Sequence, residues 1–106
     1  DHAHALAMHT AGEAYLRLLR ETLPGALVEA APDLVVYNAG TDVYRDDPLG
    51  GLALSADDIL ARDTFVVDQV QAQGAALLWV PSGGYTHDSA ALVATSLLTC
   101  FGSQLT

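Results

Sequence analysis

Two short stretches hold the residues whose types and spacing could do chemistry. "YNAGTDVYRDDPLGGLALS" offers Asn38, Asp42, Asp46 and Asp47, and "VPSGGYTHD" offers Ser82, Gly83, Gly84, Tyr85 and His87. Carboxylates gathered on one rim suit a hard or borderline cation such as Mg²⁺ or Zn²⁺. A tyrosine behind two glycines sits on backbone that is free to take unusual dihedrals, and a phenol can donate to a developing oxyanion. A plainer reading competes: Asp, Pro and Gly are turn formers, so "DDPLGG" also reads as an ordinary turn.

Other chemistries fit poorly. Neither "NAGTD" nor "PSGGYT" has the spacing of a phosphate-cradling loop, and the chain has no Lys to reach a phosphate. A Ser-His-Asp set could draw on Ser82 and His87, but the serine is flanked as Val-Pro-Ser-Gly-Gly and lacks the nucleophile-elbow pattern. His2, His4 and His9 stand in "DHAHALAMH", which has no clear period and reads as an irregular tail. Cys100 lies in an apolar run and reads as a small hydrophobe rather than a nucleophile.

The elements that must position these residues follow from periodicity. "TAGEAYLRLLRETL" reads as a helix with Thr10 as N-cap and Glu13 at capping-box spacing. Tyr15, Leu18, Leu19 and Thr22 form one face, which Leu16 and Leu23 widen. Pro24-Gly25 interrupts this pattern, and "ALVEAA" adds a second helical piece before Pro32-Asp33. Leu34 to Tyr37 is a short continuous apolar run that suits a strand covered on both faces. "SADDILARDTFVVDQVQAQG" is the clearest helix, capped by Ser55, with Asp57 and Asp58 at its positive end, Ile59, Val66, Val67 and Val70 inward, and Gly74 as its stop. "AALLWV" is a second buried strand ended by Pro81. "DSAALVATSLLTCFG" is a last helix, capped by Asp88 or Ser89 and closed by Gly102.

This order predicts an α/β fold in which the two strands pair in parallel through a right-handed crossover. Ligands in such sheets gather beyond the carboxyl ends of the strands, so the two loops should face each other across one rim. Two strands make a poor sheet alone. The pattern therefore reads as part of a larger α/β domain.

The chain has 106 residues, no apolar run of membrane-spanning length, and no basic-then-apolar opening of the secretory kind. A net charge of −9, with four Arg as its only strong cations, argues against direct nucleic-acid binding. A single Cys allows no internal disulfide, and a cytoplasmic setting is the expectation.

"PDLVVYNAGTD", "DDPLGGLALS", "RD" and "VPSGGY", in that order, resemble the C-terminal part of the zinc-dependent histone deacetylase family, which includes bacterial acetylpolyamine amidohydrolases. "VYNAGTD" and "SGGY" are most similar to its class IV, histone deacetylase 11-like, branch. The resemblance implies an arginase/deacetylase-like three-layer fold. By it, residues 1–106 would be the C-terminal portion of one deacetylase domain, with 1–9 as an irregular tail.

The same resemblance implies the site. Asp47 would be one zinc ligand and Tyr85 the catalytic tyrosine that donates to the oxyanion. Leu54, Gly83 and Gly84 would line the substrate channel, while Asn38, Gly40 and Asp42 would support the site structurally. The substrate would be an acylated lysine or a small acylated amine. The family's Asp-x-His ligand pair and its His-His dyad have no counterpart here, so the remaining zinc ligands are expected upstream. A fragment inactive alone is the resulting expectation, with the rest of the deacetylase domain needed to complete the sheet. Two other readings stay open: a non-catalytic interaction module on the same half-sheet, and another α/β hydrolytic domain using a bare acidic rim.

Overall fold

The computed structural model describes residues 1–104. Three helices and two strands alternate as α1 (Gly12–Ala30), β1 (Leu34–Asn38), α2 (Ala56–Ala72), β2 (Ala76–Val80) and α3 (Ser89–Phe101), with a 3₁₀ turn at Gly102–Gln104. β1 and β2 pair in parallel, from Leu34 opposite Ala76 to Asn38 opposite Val80. Among the described residues they form the whole sheet. The strand–helix–strand crossover expected from the sequence is the centre of the molecule.

α2 follows its sequence closely. The Ser55 side chain accepts from the Asp58 amide, and the Asp58 carboxylate accepts from the Ser55 amide, a reciprocal box that fixes the helix start. Ile59, Val66, Val67 and Val70 are buried. Gly74 takes a φ of +70° beyond the C-cap, where a side chain would meet its own backbone.

α1 departs from expectation at its start and at Pro24. Its N-cap is Ala11, with no side-chain cap, and the Thr10 hydroxyl donates instead to the Ala7 carbonyl. The capping-box expectation is therefore corrected: Thr10 spends its oxygen on the turn before the helix. Pro24 does not break the helix, which runs on through Ala30. A proline removes one backbone donor, and packing can hold the helix together past it; here Leu16 lies before it and Leu27 after it, both buried. Tyr15, Leu18, Leu19 and Thr22 are only half-buried and border a cleft with His2, His4 and Leu6. The apolar stripe of α1 is thus divided between the core and the N-terminal stretch.

The strands are covered on one face only within this chain. Leu34, Val36, Leu78 and Val80 are exposed, whereas Val35, Tyr37, Leu77 and Trp79 point to the helices and are half-buried. The expectation of two covered faces is corrected for the chain by itself, because exposed residues alternate with half-buried ones along both strands. On the covered face the Tyr37 and Trp79 rings meet edge to face at 5.0 Å between centroids. A separate core forms where the long loop tucks under α2 and α3: Tyr44, Leu54, Ile59 and Leu92, flanked by Tyr15, Val43 and Leu52.

Candidate functional site

Asp47 and Tyr85 meet at the carboxyl end of the sheet. The loop after β1 leaves the strand through Ala39, Gly40 and Thr41, all buried. It then coils in two successive turns, with the Tyr44 amide donating to the Thr41 carbonyl and the Asp47 amide to the Tyr44 carbonyl, each at 3.0 Å. These turns bring Asp47 back to the rim, where the residue is 7% exposed. Its Oδ1 accepts from the Leu49 and Gly50 amides at 2.9 Å each, and its Oδ2 accepts from the Tyr85 amide at 2.8 Å. Burial pushes the carboxyl upward, but the N–H groups of Tyr85, Leu49 and Gly50 outweigh it and hold the group below the usual carboxylate range.

The turn reading of "DDPLGG" and the functional one therefore coexist. Oδ1 closes the local turn while Oδ2 reaches a residue 38 positions away. An ionised carboxylate has about four acceptor directions. Three are taken here, which leaves room for a further partner.

The second loop is shaped to meet the first. Ser82 takes a φ of +52°, an uncommon backbone state for a residue with a side chain, and turns the chain back over the rim. The Gly83 carbonyl then accepts from the Thr41 amide at 2.7 Å. Asp42 sits between the loops: a Cβ on Gly83 would lie 2.5 Å from its Oδ2, and one on Gly40 would lie 2.8 Å from its Oδ1. Both glycines are needed for this close approach. Tyr85 is 56% exposed although its amide is tied to Asp47.

The other expected residues divide. Gly40 is buried and Asp42 half-buried beside the second loop, whereas Asn38 and Asp46 are exposed. Gly83 and Gly84 line an open groove of about 440 Å³ against the start of α3, with neither Asp47 nor Tyr85 among its walls. Leu54 is corrected. It is fully buried, packed in the cluster with Tyr44, Ile59 and Leu92, and has no surface to offer a channel. The physical reason is the short parallel bridge between Tyr44 and Leu54, which draws the loop's return limb under α2.

Among the described residues no three or more His, Cys, Asp or Glu side chains converge as a metal cage. Asp47 has the donor chemistry of a zinc ligand, but a catalytic zinc takes about three protein ligands. Two of the histidines are engaged elsewhere: His2 reaches Glu29 at 3.3 Å, and the His9 amide donates to the Gly51 carbonyl.

Sequence reasoning gave no role to one group of deeply buried polar residues. Arg62, Asp63 and Ser96 are at most 3% exposed. The Arg62 Nε and Nη2 both reach Asp63 Oδ1 at 2.8 Å, Tyr37 donates its hydroxyl to the same oxygen, and Ser96 donates to Oδ2 at 2.6 Å. Burial and the adjacent carboxylate push the Tyr37 phenol well above its ordinary range. The signal available was the pair "RD" at positions that continue the apolar face of α2.

The parallel strand–helix–strand fold recurs in solved structures. Acetylpolyamine aminohydrolase from Burkholderia pseudomallei superposes with a TM-score of 0.75 at 28% identity, over 92% of this chain and 27% of that one. The HDA15 HD domain also gives 0.75, at 22% identity, over 91% of this chain and 27% of that one, a likeness of fold.

The histone deacetylase domain matches residues 3–101, and the chain belongs to that family. Histone deacetylase 2 of Arabidopsis thaliana is 42% identical over 88 residues, which is 83% of this chain and 23% of the relative. An uncharacterised protein of Picosynechococcus sp. is 35% identical over 76 residues, 72% of this chain and 25% of the relative. The chain thus spans about a quarter of the length of the curated relatives it matches.

Proposed function

We propose that this chain supplies the carboxylate–tyrosine half of a zinc-dependent deacetylase site, acting on the acyl amide of a lysine or a small acylated amine. The observation that supports the reading is the bond from the Tyr85 amide to Asp47 Oδ2, which ties a buried carboxylate to the backbone of an exposed tyrosine. In this reading Asp47 is one metal ligand, and its ligand partners come from outside the chain. Bound zinc would polarise the acyl carbonyl and acidify a water. Tyr85 would donate its hydroxyl to the carbonyl oxygen as charge builds there. Gly40, Asp42 and Asn38 support the two loops, and Gly83 and Gly84 border the acyl group's approach. The exposed face carrying Leu34, Val36, Leu78 and Val80 would dock on the rest of the deacetylase domain. The wording of "VYNAGTD" and "SGGY" supports a place near the class IV branch.

The test compares the complete domain carrying this chain with residues 1–106 alone. Acetyl-lysine hydrolysis and zinc binding by calorimetry are measured on both. Turnover and tight zinc binding are expected only for the complete domain, with turnover lost in Tyr85→Phe and zinc affinity lost in Asp47→Ala. A complete domain indifferent to both substitutions would sink the reading. Hydrolysis by residues 1–106 alone that depended on Tyr85 would refute the expectation of an inactive fragment.

A further inference from the structure

The guanidinium of Arg62 does more than neutralise Asp63. Its Nη1 donates to the Gly40 carbonyl at 2.8 Å and its Nη2 to the Ala39 carbonyl at 3.2 Å, both in the buried first residues of the loop after β1. The next amide, that of Thr41, donates to the Gly83 carbonyl at 2.7 Å. Gly83 lies two residues before Tyr85, whose amide holds Asp47. A path of hydrogen bonds and short backbone steps therefore runs from a side chain on α2 to the tyrosine on the rim, its last step crossing Gly84.

Each link is stiff. Arg62 is 3% exposed and Asp63 1%, so the fork cannot exchange its partners for water. Asp63 is itself fixed from three elements, by Tyr37 on β1, Arg62 on α2 and Ser96 on α3. The Tyr37 ring also lies under the guanidinium, 5.7 Å from centroid to Cζ. Gly40 and Gly83 are pressed so closely that a Cβ on Gly40 would lie 3.2 Å from the Gly83 carbonyl oxygen. A shift of the Ala39–Gly40 carbonyls therefore presses directly on Gly83, two residues before Tyr85. Only a planar fork can hold two successive carbonyls and a carboxylate at once, and a lysine ammonium on its flexible stem cannot.

We propose that Arg62 is a positioning residue for Tyr85: it fixes the Ala39–Gly40 carbonyls and, through Thr41 and Gly83, sets where the tyrosine hydroxyl stands over the site. This inference rests on the deacetylase reading for its kinetic consequence, but its structural core can be measured without turnover. The variant is Arg62→Lys in the complete domain, which keeps a cation beside Asp63; Arg62→Gln is the second variant should the first fold poorly.

Residue-resolved amide hydrogen exchange is expected to give at least about tenfold faster exchange at Thr41 and Tyr85, with amides inside the β1–β2 ladder and α2 unchanged. In the acetyl-lysine assay kcat is expected to fall roughly 10- to 100-fold with KM nearly constant, the size of effect that follows a displaced catalytic group. In a Tyr85→Phe background the same Arg62→Lys change should cost almost nothing, because the group it positions is gone.

Unchanged exchange at Thr41 and Tyr85 would overturn the proposal. Equal losses of kcat in the two backgrounds would do the same, by making Arg62 a generic stabiliser. A complete domain with no turnover even before substitution would count against the deacetylase reading alone, and the exchange measurement would still decide the role of Arg62.

Discussion

The Tyr85 amide donates to Asp47 Oδ2 over 2.8 Å, joining two loops that are 38 residues apart. This bond makes one unit of a buried carboxylate and an exposed phenol. Removing the tyrosine hydroxyl leaves the bond intact, because the donor is backbone.

Tyr85→Phe should therefore separate chemistry from folding. The residue is 56% exposed, so thermal stability should stay within about 0.5 kcal/mol of the starting protein. Turnover of an acetyl amide in the complete domain should fall by roughly 10²- to 10³-fold, the usual loss for one oxyanion donor. Differential scanning calorimetry and initial rates on the same sample check both halves.

Asp47→Asn should remove a pH-dependent share of stability. The folded carboxyl is held below its ordinary value, opposed by burial but dominated by the amides of Tyr85, Leu49 and Gly50. Its contribution is then fully present above the unfolded value of about 3.9 and is lost as pH falls through the lower folded value. Roughly 1.5–3 kcal/mol should disappear at neutral pH, as for a lost charged hydrogen bond. Urea denaturation from pH 7 to pH 3 should show the gap to the unsubstituted protein closing on acidification.

Ser96→Ala should cost more than a surface serine would. Its hydroxyl donates to Asp63 Oδ2 at 2.6 Å in a fully buried site, and no water can replace it there. A loss of about 1.5–3 kcal/mol is expected, the range for a hydrogen bond to a charged group. Ser96→Thr keeps the donor and should recover part of it, measured by chemical denaturation.

Gly50→Ala should disturb the site through sterics alone. A Cβ there would lie 1.7 Å from the Asp42 carbonyl oxygen, which is backbone and cannot swing away. Overpacking of this kind costs about 1–3 kcal/mol. The Gly50 amide should also leave Asp47 Oδ1, which nuclear magnetic resonance would read as a shift of that amide.

The exposed sheet face should govern how the chain behaves alone. Leu34, Val36, Leu78 and Val80 lie side by side on two paired strands. Val36→Lys together with Leu78→Lys should reduce self-association of residues 1–106 in sedimentation velocity, because a charge on an open strand face disfavours stacking of copies.

Local signals in the sequence determined the helices, the two strands, their parallel pairing and the rim to which the loops belong. A capping serine, a glycine stop and short β-branched runs act over a few residues, so they can be read without knowing what lies across the fold. Family motifs also singled out Asp47 and Tyr85, although nothing in their spacing placed one against the other. Only the tertiary structure decided that their link is a backbone amide, that Leu54 turns into the core, and that α1 runs unbroken past Pro24. It alone assembled Arg62, Asp63, Tyr37 and Ser96, drawn from three elements, into one buried network. Such choices rest on which long-range partner desolvates each group, and that information exists only once the loops and helices have packed.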